Sequence, residues 1–256
     1  AAKDQFLASL SHELRTPLAP VLLTLSLMRR RGDLPNDVHA ELDIVRHAVE
    51  LEARLIDDLL DITRITRGKL RLSRRPLDLH VILHTALHLC CRDIAQKTIV
   101  RLNAPKHTVL GDAVRLQQVF WNVLSNAIKF TPPEGSITVE TEAADPARPN
   151  ERIRVRISDT GAGIRSELLP RLFTPFEQGS DLVPRRFGGL GLGLVIVRAL
   201  VVRHGGTVTA ESGGLNHGTT ITIELPLTDQ PVAKTRPKPT LPSNRTLRVL
   251  LVEAHQ

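Results

Sequence analysis

The sequence predicts a helical hairpin, paired into a dimeric four-helix bundle, followed by an α+β two-layer sandwich. Three observations predict this fold class. Apolar residues recur at helical spacing through two long segments of residues 1–67, a turn-forming stretch separates the segments, and shorter strand and helix patterns alternate over residues 77–228. The chain has 256 residues, more than the common single-domain length of about 100 to 150, so one large or two modest domains are expected.

The hairpin prediction rests on two amphipathic helices over residues 3–31 and about 38–66. Between them, the string RRGDLPND supplies Gly, Pro, Asp and Asn, which turn the chain. Neither helix can bury its apolar stripe within an isolated hairpin, so we expect a homodimer. A hairpin packed on the rest of its own chain is the alternative. The predicted dimer stripe contains Leu7, Leu10, Leu14, Leu42, Val45 and Ile56.

The pattern beyond Pro76 is typical of a mixed sheet covered by helices. A Pro-rich linker is predicted over residues 229–245, and residues 246–256 begin an apolar strand. Within the sandwich, helices are predicted over 77–97, 112–129 and 191–204, and strands over 99–102, 136–142, 152–159, 207–210 and 219–225.

The amino-acid composition of the chain limits the classes of function that it can have. The net charge is +7, but aromatic residues make up only 3% and Tyr is absent, so nucleic-acid binding is not expected. No apolar run is long enough for a membrane span, so we expect no membrane contact within this sequence. The adjacent Cys90 and Cys91 indicate a reducing cytoplasm. The chain starts without Met, and we expect a fragment whose full-length protein could be membrane-anchored upstream.

His12 is the first candidate for chemistry. At about 100° per residue it lies about 160° from Leu10 and Leu14, so it points away from the apolar stripe. A neutral imidazole can attack phosphorus, and the adjacent Glu13 could accept its proton. Thr16 stands on the same helical face. Exposed histidines on helices are commonly inert, so this arrangement alone leaves both interpretations open.

Two further patterns suit a nucleotide. One face of a predicted helix carries Asn122, Asn126 and Lys129. Amide oxygens are suitable ligands for Mg²⁺, and an ammonium group is suitable for binding phosphate. The alternative is an ordinary polar helix face in contact with solvent. In ISDTGAGI, Asp159 ends an apolar strand before Gly161 and Gly163, which permit close backbone approach.

A third pattern is a glycine run that opens an apolar helix, which favours phosphate. The run contains Gly189, Gly191 and Gly193 in FGGLGLGLVIVRAL. It could also belong to a dinucleotide-binding fingerprint, but that motif needs an apolar strand leading into the first glycine, and none is present here.

The string FLASLSHELRTPL, residues 6–18, resembles the phosphoacceptor box of sensor histidine kinases, and the three patterns above resemble that family's ATP-binding boxes in the family's order. The resemblance covers residues 1–228 and implies a sandwich of the histidine kinase, gyrase and chaperone ATPase type. It implies Mg-ATP-dependent autophosphorylation of His12, with Glu13 as base and Thr16 serving dephosphorylation, and transfer to an aspartate of a receiver domain.

The same resemblance assigns the nucleotide contacts. It implies that Asp159 binds the adenine amino group, that Asn126 and Asn122 hold Mg²⁺, and that LFTPFEQGSDLVPRR is a lid anchored by Phe173 and Phe176. HGTTITIEL resembles the last glycine box, in which Thr219 or Thr220 reaches the adenine, and Thr220 is preferred. The C-terminal LRVLLVEAHQ resembles the first strand of a receiver, although Ala254 stands where receivers carry a second acid.

Three other hypotheses compete. An ATPase of the wider superfamily would carry a water-activating Glu at position 122, where this chain has Asn. A non-catalytic scaffold is disfavoured because every catalytic or ligand-binding residue that we can assign in the phosphoacceptor and ATP-binding boxes is present. A metal site is conceivable where His80, His84 and His88 recur at i+4 spacing near Cys90 and Cys91, but the polar face of a helix is the preferred interpretation of these residues.

Overall fold

A computed structural model describes residues 16–29, 34–66, 70–90, 98–175 and 191–232. The predicted linker and receiver-like strand, residues 233–256, lie outside the described part of the chain. Within it, a pair of helices precedes a sandwich of sheet and helices, which confirms the predicted fold class.

The helical pair consists of α1, Leu18–Arg29, and α2, Asn36–Thr66. An ion pair between Arg29 Nη2 and Asp43 Oδ2, 3.4 Å apart, links the two helices near their turn. The pair leaves large apolar side chains in solvent, and Ile44 is 70% exposed. None of the described helices combines the length and the apolar content that a membrane crossing requires. The other exposed apolar residues of the pair include Val21, Leu23, Leu27, Val45 and Leu59.

The sandwich begins with a two-stranded antiparallel sheet of β1, Arg75–Asp78, and β3, Thr108–Gly111. Its main sheet has five strands in the order β2-β4-β5-β7-β6, antiparallel except for the parallel β2–β4 pair. The strands are β2 (Thr98–Leu102), β4 (Ile137–Ala143), β5 (Arg152–Asp159), β6 (Thr207–Glu211) and β7 (Thr219–Pro226). The helices are α3 (Leu79–Cys90), α4 (Ala113–Phe130) and α5 (Gly193–Arg203).

The core lies between this sheet and its helices. Side chains of β5 alternate between buried and half-buried, as a strand with one covered face requires. Phe120 on α4 is fully buried, and Ile62 of α2 joins the same apolar cluster through Leu70. The end of the hairpin is therefore packed into the core of the sandwich.

The structure corrects two boundaries of the predicted elements. The helix predicted from residue 77 starts at Leu79, because Arg75–Asp78 pairs as a strand with Thr108–Gly111. That partner, β3, was not predicted. Residue 112, predicted as the first residue of α4, is instead its N-cap.

Candidate functional site

The register of α4 is set by Asp112. Its Oδ1 accepts hydrogen bonds from the amides of Val114 and Arg115, at 3.1 and 3.3 Å, and so caps two of the orphan donors at the helix start. Its own amide donates to Nε2 of the buried His204 over 3.0 Å. The cap therefore fixes where α4 begins.

Asn122 connects α4 to the glycine-rich start of α5. Its side chain is buried, and Nδ2 donates to the carbonyl oxygen of Gly193 over 3.3 Å. A Cβ at Gly193 would lie 3.7 Å from Asn122 Cγ, which is ordinary contact. Two residues predicted for the site from separate motifs are thus brought together, and the Asn122 Oδ1 atom is the one left for a ligand.

Asn126 and Lys129 follow Asn122 along α4, and both are half-buried. Burial lowers the pKa of the Lys129 ammonium from its ordinary value. Its Nζ atom lies 4.9 Å from the centroid of the Phe130 ring, within range of a cation–π contact. A partly desolvated ammonium of this kind binds an anion more strongly than a fully hydrated one.

Asp159 ends β5 on the core side of the sheet, in phase with the buried Ile157. Its Oδ1 accepts hydrogen bonds from the amide of Gly161 at 2.8 Å and from that of Thr219 at 3.3 Å. Burial raises the pKa of this carboxyl group, and the two amides act in the opposite direction. No described residue donates a hydrogen bond to Oδ2, so that oxygen is left for a ligand donor.

The loop after Asp159 needs its glycines. A Cβ at Gly161 would collide with the carbonyl oxygen of Phe130, and Gly163 has a φ of +66° and lies against the carbonyl of Gly214. The Ala162 amide donates to the Phe130 carbonyl over 3.1 Å. These contacts bind the loop directly to the end of α4, so the two predicted nucleotide motifs form one surface.

The sheet register places the two candidate threonines on opposite faces of the sheet. Thr220 pairs with Ser158 and its hydroxyl donates to Ser158 Oγ over 3.0 Å, on the face away from the helices. Thr219 pairs with Asp159, so its side chain lies on the same face as the carboxylate. Thr219 is therefore the threonine on the same face as Asp159, and the preference for Thr220 as the adenine contact stays a prediction.

The other predicted residues are distributed as follows. Thr16 is exposed just before α1, and Phe173 is half-buried after the short 3₁₀ turn Leu169–Arg171. Gly191 has a φ of +69°, which suits a glycine before α5. His12, Glu13, Phe176 and Gly189 lie outside the described residues.

Two contributors were missed by the sequence reasoning. His204 connects α5 to the cap of α4, and Ser212 accepts a hydrogen bond from the Ile164 amide over 2.9 Å and donates to the Gly218 carbonyl over 2.6 Å. Neither lies in a motif. A shallow cavity of about 360 Å³ beside Ser212 is lined by Glu211, His217 and Thr220 and does not include Asp159 or α4, so it is separate from the surface described above.

Comparisons with known proteins agree with this architecture. Residues 111–229 match the family model described as histidine kinase-, DNA gyrase B- and HSP90-like ATPase. Residues 2–68 match the model of the His Kinase A phospho-acceptor domain.

Among individual relatives, the autoinducer 2 sensor kinase/phosphatase LuxQ of Vibrio harveyi is 34% identical over 265 residues, which cover 98% of this chain and 30% of LuxQ. The circadian input-output histidine kinase CikA of Synechococcus elongatus is 33% identical over 260 residues, covering 99% and 34% of the two chains. Full-length ShkA, solved in complex with AMPPNP, superposes with a TM-score of 0.68 at 30% identity, over 88% of this chain and 46% of that one.

The fold and the site define an ATP-binding domain of the histidine kinase and gyrase type, carried behind a helical phosphoacceptor region. The chain belongs to the sensor histidine kinases. It spans about 30% of the length of the LuxQ relative.

Proposed function

We propose that this chain binds Mg-ATP on the surface formed by α4, the Asp159 loop and the start of α5, phosphorylates its own His12, and passes the phosphoryl group to an aspartate of a receiver domain. The observation that carries the proposal is the Asp159 carboxylate, whose Oδ1 is held by the amides of Gly161 and Thr219 while Oδ2 is free of described donors. A fixed acceptor of this kind suits the exocyclic amine of adenine. The AMPPNP bound by the similar ShkA supports the same ligand class.

The residues of α4 suit a hydrated divalent cation and phosphate. Asn126 would hold Mg²⁺ through its amide oxygen, and the free Oδ1 of Asn122 would be the second protein ligand. Bound Mg²⁺ neutralises charge on the phosphate oxygens during transfer. Lys129 would contact phosphate as a point charge, because its partly buried ammonium can reach an anion without losing a full hydration shell.

The phosphoryl transfer is a substitution at the γ-phosphorus. The lone pair of one imidazole nitrogen of His12 forms the N–P bond, the bond from the γ-phosphorus to the bridging oxygen breaks, and ADP leaves. Glu13 takes the proton from the other imidazole nitrogen. Thr16, exposed just before α1, would orient the water that hydrolyses the phosphoryl-aspartate of the receiver in the phosphatase reaction. Phe173 and Phe176 would anchor a lid, and Gly189, Gly191 and Gly193 would admit the phosphates.

The exposed apolar side chains of the hairpin support a homodimer. Ile44, Val45 and Leu59 of α2 are 70%, 46% and 46% exposed, and an isolated hairpin gives them nothing to pack against. LuxQ is a sensor kinase/phosphatase by description and CikA is a circadian input-output histidine kinase, and these signalling roles support a receiver as the phosphoryl acceptor.

The proposal is tested by incubating the chain with γ-labelled Mg-ATP and dividing the product between acid and base. Phosphohistidine is a phosphoramidate, so the label should be lost in acid and kept in base, and it should move to an added receiver domain. Label that survives acid, as a serine or threonine phosphate does, would contradict the proposal.

A further inference from the structure

A cluster of metal-ligating side chains lies outside the nucleotide surface. Asp78 ends β1, His80 lies in the first turn of α3, and His107 directly precedes β3. It differs from the site conceivable on sequence alone, because His84 and His88 are exposed on α3 and only His80 enters the cluster. One oxygen or nitrogen atom from each of the three residues lies within 4.8 Å of the other two.

The spacing between Asp78 and His107 fits a shared ion better than a hydrogen bond. The distance from Asp78 Oδ2 to His107 Nε2 is 3.4 Å, beyond the usual N–H···O range of about 2.7 to 3.2 Å. Two ligands at roughly 2.0 to 2.1 Å from a tetrahedral zinc ion lie about 3.3 Å apart. The two side chains are about one third exposed, so an ion can enter from solvent.

The other polar atoms of Asp78 and His80 form contacts that hold these two side chains in place without using the proposed ligand atoms. Asp78 Oδ1 accepts from the amides of His80 and Val81, at 2.9 and 3.3 Å, which leaves Oδ2 to a ligand. His80 Nε2 lies 3.0 Å from the hydroxyl of the buried Thr141, so its Nδ1 is the free donor atom. His107 Nδ1 is buried without a hydrogen-bond partner among the described residues, and it is not the nitrogen that faces Asp78.

The cluster is remote from the proposed ATP contacts. Thr141 pairs with Val155 across the main sheet, whereas Asp159 pairs with Ile137. The two positions are four residue steps apart, which corresponds to about 13 Å along the strands. An ion in the cluster would therefore connect the β1–α3 junction to the segment before β3 without touching the nucleotide.

We propose that Asp78, His80 and His107 form a binding site for Zn²⁺ or a similar divalent transition metal, with water as the fourth ligand. One carboxylate oxygen and two imidazole nitrogens are a donor set that selects such ions over Mg²⁺. The rings of His80 and His107 are now stacked, with centroids 4.1 Å apart and planes inclined by 15°. An ion bound to both imidazoles would lie in the plane of each, so one of the two rings would have to turn out of the stack before both could bind it.

The test is titration of the whole chain with ZnCl₂, after chelation and dialysis, by calorimetry and by thermal unfolding. Wild type should bind one more zinc ion per chain than His107→Ala, and zinc should raise the Tm of wild type more than that of the variant. Replacing Zn²⁺ with Co²⁺ should give the strong visible absorption of a tetrahedral site. His84→Ala, one turn along α3 and exposed, is the matched control and should bind like wild type.

Two further comparisons test whether the bound zinc lies in this cluster. Thr141→Val removes the hydroxyl that contacts His80 Nε2 and that also accepts a hydrogen bond from the Ala104 amide over 3.3 Å, and it should weaken zinc binding roughly tenfold to a hundredfold with the site still present. Zinc bound elsewhere on the chain appears as sites that survive in His107→Ala. Equal stoichiometry and affinity in wild type, His107→Ala and Asp78→Asn would overturn the assignment, as would a wild type that binds no zinc.

Discussion

Asp61 Oδ2, near the end of α2, accepts a hydrogen bond from Arg115 Nη1 on α4 over 2.5 Å and a second from Gln118 Nε2 over 2.8 Å. The Asp61 side chain is only 7% exposed, so these two donors replace the hydrogen bonds that water would give its carboxylate. The contact ties the hairpin to the helix that carries the proposed ATP ligands. In this arrangement the hairpin and the sandwich are in direct contact through a carboxylate buried between them.

Arg115→Ala should loosen this docking. The substitution removes a charged donor worth about 2 kcal/mol, while Gln118 still donates to Asp61. Amides of residues 60–66 should then exchange with deuterium roughly thirtyfold faster. Arg198→Ala, an exposed arginine on α5, is the control. Equal protection of residues 60–66 in the two variants would show that the Asp61 contact does not hold the domains together.

Asp159→Asn should weaken nucleotide binding about tenfold or more, because the carboxylate acceptor for adenine becomes an amide. ATP and ADP should be affected alike, since the change is remote from the γ-phosphate. Calorimetry measures both affinities. The matched control is Asp145→Asn, in the exposed turn between β4 and β5, which should bind like wild type. Unchanged affinity in Asp159→Asn would remove Asp159 from the site.

His204 should make the fold sensitive to acid. Burial lowers the pKa of this imidazole from its ordinary value of 6.5; Arg74 lowers it further, whereas the Leu200 carbonyl and Asp112 raise it. The folded state therefore favours neutral His204, whose Nδ1 donates to Leu200 O and whose Nε2 accepts from the Asp112 amide. This stabilisation is complete above the ordinary pKa and is lost as the pH falls through the lowered folded-state pKa.

The measurement is the free energy of unfolding at about pH 7.5 and about pH 5. Wild type should lose more stability between these values than His204→Gln, which cannot titrate. His217→Gln, at an exposed histidine, should behave like wild type. An identical loss in wild type and His204→Gln would assign the acid sensitivity to other groups.

The hairpin should dimerise through its apolar stripe. Leu14→Glu combined with Val45→Glu should give monomers, because Val45 is 46% exposed within one chain and a buried charge opposes pairing. Light scattering at micromolar concentration reports the mass. Ala40→Glu, at an exposed position of α2, is the control. Monomeric wild type would refute the four-helix bundle.

Elements with strong local periodicity were predictable from the sequence. Strand β5 occupies residues 152–159, as its alternation indicates, and α4 deviates from its predicted bounds by one residue at each end. The β1–β3 pair was not predictable in this way, because each strand has four residues and is defined by its partner rather than by its own pattern.

The site shows the same division. Motif spacing predicted Asn122, Asp159 and Gly163. Each of them contacts a residue that lies in another predicted motif or within four residues of one. The position of Thr219 opposite Asp159 becomes visible only in the register of the sheet. His204 and Asp61 act through partners 92 and 54 residues away, at Asp112 and Arg115, and no local pattern encodes such pairs.

The most direct test of the central claim compares His12→Gln with wild type in two assays on the same preparations: ATP binding by calorimetry and incorporation of label from γ-labelled Mg-ATP. The variant should bind ATP with wild-type affinity, because the proposed nucleotide contacts lie on α4, the Asp159 loop and α5, and it should incorporate no acid-labile label. Acid-labile label that persists in His12→Gln would contradict His12 as the phosphoacceptor.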